Sequence, residues 1–441
     1  MRPFKRILLM LATLVPGPAV AQLDFEKEPI RYSESQASDS IAQLAEKVRD
    51  GSVTLKWEAE HGYLKSLLQE LDVSTSSQTL VFSKTSLQVG RISPARPRAI
   101  YFNDDVYVGW VQHGDVIELS AADAQLGGTF YTLDQDPDDG VSLLKRETSR
   151  CLQCHGSTHT RRIPGHIVRS VYPDRTGQPV FRLGTHLTND ASPFSERWGG
   201  WYVTGTHGDQ RHMGNVWLGN PDEVEELDPT SGQNVTDLTS LMNTEPYLTP
   251  HSDIVALMVL QHQVAVHNVL TAANHSGRLT ARDAVVMNKA LDRPVNFESD
   301  STDRRYQSAA DKVVKAILFA DAAALTAPVI GTSSFAEEFS RRGPFDQCGR
   351  SLRQFNLKTR LFEWPCSYLI YSEAFHSLPA GVAQRVERRL ADLLNESGET
   401  DMETRTSGRD DFADSFQHLT PRLRQEIKQI LLETTDLNLN R

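Results

Sequence analysis

The sequence RAIYFNDDVYVGW spans residues 98–110 and contains two short runs rich in β-branched and aromatic residues. The polar triplet at residues 103–105 separates these runs, which is typical of two antiparallel strands joined by a tight turn. Similar runs recur along the chain and together predict a meander of strands. The predicted strands are residues 79–83, 99–103, 106–111, 116–120 and 129–133, followed by 167–172, 180–184, 201–205 and 216–218.

Apolar residues at helical spacing flank this β-rich part on both sides. On the N-terminal side they predict a helical hairpin over residues 33–71. On the C-terminal side they predict helices at residues 252–273, 303–325, 336–341, 382–394 and 421–434, and the first of these is apolar nearly all round, so it should be buried. We therefore predict an α+β protein, with an N-terminal helical hairpin (22–76), a β-rich domain (77–220) and a mostly helical C-terminal region (221–441).

The N-terminus has the pattern of an export signal. Arg2, Lys5 and Arg6 precede a short apolar stretch, and Ala19-Val20-Ala21 fits the small-x-small cleavage pattern. These features predict a signal peptide at residues 1–21 and a periplasmic or secreted mature protein, the alternatives being an uncleaved anchor or a buried helix. No later stretch is predicted to span a membrane, so we expect no stable membrane insertion.

The chain is acidic, with a net charge of -11 at pH 7. The predicted signal peptide carries three positive charges and no acidic residue, so the mature chain would be near -14. Nucleic-acid binding is not expected, because phosphate backbones are bound by clustered Lys and Arg. The charge instead favours solubility and a basic partner protein.

The motif that carries chemistry is CLQCH at residues 151–155, a CxxCH sequence. Such a motif is typical of c-type haem attachment. Cys151 and Cys154 would form thioethers with the two vinyl groups of one haem, and His155 would bind the iron as the proximal ligand. The alternatives are a thioredoxin-like CxxC, a structural zinc site or a disulfide. No βαβ pattern surrounds the motif, no second ligand pair is evident, and a disulfide over this spacing is strained.

The sixth iron ligand is the open question, since His, Met or an open position are all found in haem proteins. A segment rich in glycine and aromatic residues ends in His212 and Met213, and we consider either of them a possible distal ligand. A second group, Met258, His262 and His267, lies on the predicted buried helix. His262 and His267 are five residues apart and point about 140° away from each other, so they cannot both face one haem. An ordinary core role is the alternative for each of these side chains.

Basic residues that follow the motif are possible partners for the haem propionates, because Arg recognises carboxylates well. These residues are Arg162 and Arg169, together with Arg161. The alternative for them is a solvated basic loop. Cys348 and Cys366 remain outside the motif, and in an oxidising compartment a disulfide between them would contribute about 3 kcal/mol.

Three stretches of the chain resemble a family of large exported bacterial cytochrome c domain-containing proteins. They are residues 98–110, RWGGWYVTG at residues 197–205 and CSYLIYS at residues 366–372. The resemblance covers most of the mature chain and implies haem, iron and electron transfer. It assigns Cys151 and Cys154 to the thioethers and His155 to the proximal ligand, and it implies neither a substrate nor a distal ligand.

Three functions follow from these observations. The first is electron transfer through one covalent haem to a redox partner protein. The second is a haem-dependent oxidoreductase with an open distal site, either peroxidase-like or acting on a small nitrogen compound, because the chain is much larger than a single-haem carrier requires. The third is a sensor of gas or redox state, which no accompanying signalling domain supports.

Overall fold

A computed structural model describes residues 23–136, 144–219, 228, 230–395 and 411–440. The predicted signal peptide lies outside the described residues. The strands are β1 Thr79–Val81, β2 Arg98–Phe102, β3 Val106–Trp110, β4 Val116–Asp123, β5 Gly127–Asp134, β6 Lys145–Arg146, β7 Arg169–Val171, β8 Thr185–Leu187, β9 Trp201–Tyr202, β10 Gly205–Thr206 and β11 Ile330–Gly331.

The predicted meander forms an antiparallel sheet in the order β6-β5-β4-β3-β2-β1-β9. Asn103 sets the turn between β2 and β3, because its side-chain oxygen accepts the backbone N–H groups of Asp105 and Val106 at 3.1 and 2.8 Å. Gly127 begins β5 with φ of 80°, and a Cβ there would lie 2.2 Å from the Thr271 methyl carbon. Glycine is therefore required at this position by both backbone and space.

The helices confirm an α+β protein with a helical C-terminal region. They are α1 Ser40–Arg49, α2 Leu64–Glu70, α3 Leu152–His155, α4 Ile254–Ala290, α5 Asp300–Ile317, α6 Phe335–Arg341, α7 Glu373–His376, α8 Ala380–Asn395, α9 Asp411–Asp414 and α10 Pro421–Thr434. The prediction for α10 matches at both ends, where Thr420 caps the helix and proline occupies its first turn. Residues 180–184 and 216–218, predicted as strands, instead form a short 3-10 turn and irregular structure.

The sheet separates two apolar clusters. One face packs against α1 and α2 through residues such as Leu44, Leu67 and Tyr131. The opposite face packs against α4, and the same cluster continues into α5 and α8. Residues of the predicted β-rich and helical regions therefore share one core.

Helix α4 is 37 residues long and crosses the sheet from β9 to β5. By length and composition it could cross a membrane, contrary to the expectation that no later stretch has this property. However, 78% of its most apolar window is buried inside the fold, as in the core helix of a soluble protein. The prediction placed its end at residue 273, because the second half carries more polar residues.

The start of α4 is held by Asp253, which is buried. One carboxylate oxygen accepts the Val255 and Ala256 N–H groups as a helix cap, and the other accepts two backbone N–H groups and one hydroxyl from Thr332 and Ser333. Asp253→Ala would leave buried donors unsatisfied, and we expect it to lower the free energy of unfolding by about 3 kcal/mol in urea titrations.

Ser299→Ala provides the matched control, because Ser299 caps α5 by accepting the Thr302 N–H, and its hydroxyl also contacts the Thr302 hydroxyl at 3.0 Å. We expect the free energy of unfolding of that variant to fall by about 1 kcal/mol. Equal losses in the two variants would show that the contacts between Asp253 and the 332–333 loop contribute nothing beyond capping.

Candidate functional site

The CxxCH motif forms a single helical turn, α3, directly after the short strand β6. The Cys154 and His155 N–H groups both donate to the Cys151 carbonyl, at 3.2 and 2.9 Å. Side chains three and four residues apart on a helix lie on the same face, so this turn brings the two thiols and the imidazole together. Both cysteines are free thiols, Cys151 half-buried and Cys154 exposed.

The loop after α3 folds back onto it. The Thr160 hydroxyl contacts the carbonyls of His155, Ser157 and Ile163 at 3.0, 3.1 and 2.7 Å, and the Gly165 N–H donates to the His155 carbonyl at 2.9 Å. These contacts fix the path of the loop from residue 157 to residue 165. The loop therefore presents the Gly165 carbonyl to the His155 ring.

The His155 ring has one defined partner, since its Nδ1 lies 2.9 Å from the Gly165 carbonyl oxygen. A carbonyl only accepts hydrogen bonds, so Nδ1 carries the proton and the lone pair of the neutral ring is on Nε2. Burial lowers the pKa of His155, which keeps the ring neutral at pH 7. A Cβ on Gly165 would lie 2.4 Å from the Asn268 side-chain oxygen, so a larger residue would displace this carbonyl.

The sheet supplies the surroundings of the motif. The Phe130 ring of β5 lies 4.6 Å from the His155 ring. Arg98 of β2 pairs with Glu118 of β4 at 3.1 Å, yet the buried Arg98 Nε has no hydrogen-bond partner among the residues that the structure describes. Burial, with Glu147 and Glu118, raises the pKa of the Cys151 thiol to about 11, so that it remains protonated at neutral pH.

Sequence reasoning did not single out Phe130, Arg98 or Gly165 as site residues. Arg98 did carry a signal, because a charged residue at the start of an otherwise apolar strand needs a partner when it points inward. The role of Gly165 is set by close packing against α4, which no local pattern indicates.

Beyond Phe130, buried rings extend from the motif into the core. His166 lies 4.5 Å from Tyr107 between ring centroids, and the Tyr107 hydroxyl lies 2.9 Å from His267 Nδ1. In the described part of the chain, no hydrogen-bond partner is found for either ring nitrogen of His166 or for the His267 Nε2, and all three atoms are buried. Burial holds the pKa of His166 well below its ordinary value and lowers that of His267 to about 4, so both rings are neutral.

His212 and Met213, the possible distal ligands, lie away from His155. His212 contacts His207 and Trp198, with ring centroids 4.8 and 5.6 Å apart, and Met213 contacts Ser170. This group adjoins β9, whereas His155 adjoins β5, and five interstrand steps of about 4.8 Å along the sheet separate those strands. Within the described residues, no ring contact or hydrogen bond joins the two groups.

The possible propionate partners are divided between two places. Arg162 is exposed on the loop that follows α3, with φ of 61°. Arg169 lies on β7, where its side chain donates to the Thr185 hydroxyl at 2.7 Å and covers the Phe181 ring. Arg162 is therefore near the motif because it follows α3 closely in sequence, while Arg169 belongs to the separate hairpin of β7 and β8.

His262 has the ordinary core role, because both of its ring nitrogens are bonded. Nδ1 lies 2.6 Å from Asp190 and Nε2 lies 2.7 Å from the Ser367 hydroxyl. This is the order of a Ser-His-Asp triad, but Ser367 is fully buried and its hydroxyl also accepts the Leu369 N–H. A substrate cannot reach that hydroxyl, so the arrangement is structural. Met258 is likewise buried in the core.

The proposed Cys348–Cys366 disulfide is not present. Both residues are free thiols, with Cys366 buried in the core and Cys348 exposed. Among the residues that the structure describes, no group of three or more His, Cys, Asp or Glu side chains is arranged to hold a metal ion.

Comparison with known proteins adds no family to these observations. No family model matches the chain, and no curated protein or solved structure matches it.

Proposed function

We propose that the chain is an exported monohaem c-type cytochrome that binds haem covalently through Cys151 and Cys154. The observation that carries this proposal is the hydrogen bond between His155 Nδ1 and the Gly165 carbonyl. Metal-binding histidines are typically oriented in this way, with one ring nitrogen donating to a carbonyl and the other left for the metal. The bound haem would supply a redox-active iron.

The residues of the chain fit such a group in three respects. Cys154 is exposed and Cys151 is half-buried, and both thiols share one helical face with His155. His155 is held neutral, which metal binding requires. The positive charge of Arg98 acts on the Cys151 thiol and would favour a propionate nearby.

Two functions of the haem remain as candidates. Electron transfer to a redox partner protein is the first, and the acidic surface favours a partner with a basic face. The location of His212 and Met213 beside β9 favours an open sixth position, and therefore the second candidate, a haem-dependent oxidoreductase. That enzyme would be peroxidase-like or would act on a small nitrogen compound.

The test is the visible spectrum of the protein produced with a c-type maturation system, in the ferric and dithionite-reduced states. We expect colour that stays with the protein after acid–acetone extraction, because thioether bonds survive that treatment. A high-spin ferric spectrum that shifts with cyanide would support the open site, whereas sharp low-spin bands would support electron transfer. Colour that is fully extracted would contradict the proposal.

Export is tested on the same preparation. N-terminal sequencing is expected to begin at Gln22, in the periplasmic fraction or the medium, because the pattern at residues 19–21 predicts cleavage after Ala21. An intact Met1 in the cytoplasm would contradict this part of the proposal.

A further inference from the structure

A cationic cleft lies between α4, α5 and the loop that follows the CxxCH turn. We define it by the four basic residues that line it, Arg161, Arg304, Arg305 and Lys312, and its volume is about 290 Å³. Three hydroxyls, from Ser276, Ser301 and Ser308, line it as well, and no acidic residue does. Such a concentration of positive charge is unexpected on a chain with a net charge of -11.

The cations of the cleft are mostly without acidic partners. Arg305 pairs with Asp283 at 3.0 Å. For Arg161, Arg304 and Lys312, no ion pair is found within the described part of the chain. Like charges that line one cleft repel, so an anion bound there would lower the electrostatic free energy of this arrangement.

Helices α4 and α5 form the walls of the cleft. Arg304, Ser308 and Lys312 are spaced by four residues on α5, so they share one face of that helix. The opposite wall is α4, where small residues such as Ala272 and Ala273 leave room for a ligand. Arg161 completes the cleft from a backbone with φ of 56°, held there by the Thr160 hydroxyl contacts described above.

A second cavity of about 350 Å³ adjoins the cleft and shares Arg161, Val269 and Lys312 with it. His166 lines this second cavity, is nine-tenths buried and has both ring nitrogens unpartnered. An anion held by Arg161 and Lys312 would therefore lie where the two cavities meet.

We propose that the cationic cleft binds an oxyanion, recognised by the Arg161 and Arg304 guanidinium groups and the Lys312 ammonium group. Guanidinium groups suit carboxylate and phosphate oxygens because they donate two parallel hydrogen bonds. The oxyanion has two possible sources, a propionate of a haem held by the adjacent CxxCH turn or a free anion from solution. The site itself does not depend on haem attachment.

The test is calorimetric titration of inorganic phosphate at low ionic strength, into the mature wild-type protein and into Cys151→Ala/Cys154→Ala. The double variant Arg304→Gln/Lys312→Gln, made in both backgrounds, is expected to weaken binding at least tenfold. Lys47→Gln/Lys56→Gln is the matched control, since it removes two exposed lysines at a distance and should change binding less than twofold. Circular dichroism would verify that each variant is folded.

Phosphate binding to both proteins would support a site for a free anion. Binding only to the protein without the two cysteines would support occupation by a propionate in the haem-loaded form. The absence of binding in both proteins, or equal weakening by the control pair, would overturn the proposal. These outcomes are separate from the haem test, because the cysteine variant needs no haem.

Discussion

The double substitution Cys151→Ala/Cys154→Ala is expected to abolish covalent haem attachment, so that acid–acetone extraction removes all colour from the protein. Each thioether requires one of these sulfurs, and the α3 turn places both beside His155. Neither the buried Cys366 nor the exposed Cys348 lies in this turn, so neither can replace them. Each single variant should keep one thioether and an altered reduced spectrum. The measurement is haem retained per protein after extraction.

Cys348→Ala is the matched control, because it removes an exposed free thiol outside the motif. It should retain all of the covalent haem. His155→Ala should retain the thioethers and lose the axial ligand, which changes the iron spectrum while the colour resists extraction. Covalent haem in the double variant would show that attachment occurs elsewhere and would overturn the assignment of the motif.

Acidification from pH 7.5 to pH 5 is expected to destabilise the fold by about 6 kcal/mol through three buried histidines alone. Burial lowers the pKa of His212 to about 3 and those of His267 and His275 to about 4, below the ordinary value of 6.5. The unfolded chain therefore binds protons that the folded chain does not. The contribution of these three histidines to the free energy of unfolding is fully present above pH 6.5 and is lost as the pH falls towards 4.

At pH 5 each of the three histidines accounts for about 2 kcal/mol of the loss. Their sum is comparable to the total stability of an ordinary domain, about 5–15 kcal/mol, so the protein should approach unfolding near that pH. Urea titrations at the two pH values measure the difference directly. Within the described residues, none of these three rings has an acidic hydrogen-bond partner that would favour its charged form.

His275→Gln isolates one of these contributions. Between pH 7.5 and pH 5, we expect the free energy of unfolding of this variant to fall by about 2 kcal/mol less than that of the wild type, because the glutamine does not titrate. His376→Gln, which removes an exposed histidine on α7, should lose as much as the wild type. Equal stability of the wild type at the two pH values would show that these rings are not held neutral by burial.

Elements set by local sequence were predictable. The strands β2 and β3 follow from alternating bulky residues around the Asn103 turn, and α10 follows from its cap and first-turn proline. The placement of Cys151, Cys154 and His155 on one helical face follows from their spacing alone, since residues three and four apart share a face of a helix. For the same reason the sequence could name Cys151, Cys154 and His155 as haem residues, an assignment that the extraction experiment tests.

Contacts between distant parts of the chain were not predictable. The partner of His155 is the carbonyl of Gly165, and the backbone of the next residue, His166, is held by the Asn268 side chain on α4. Phe130 contacts the His155 ring only because the fold brings β5 to the motif, while His212 and Met213 lie beside β9, near the opposite end of the sheet. Local sequence therefore determined most of the segments that form strands and helices, and it identified the residues that we propose bind haem. The tertiary structure decided which side chains meet, because strand order and helix packing depend on burial summed over the whole chain.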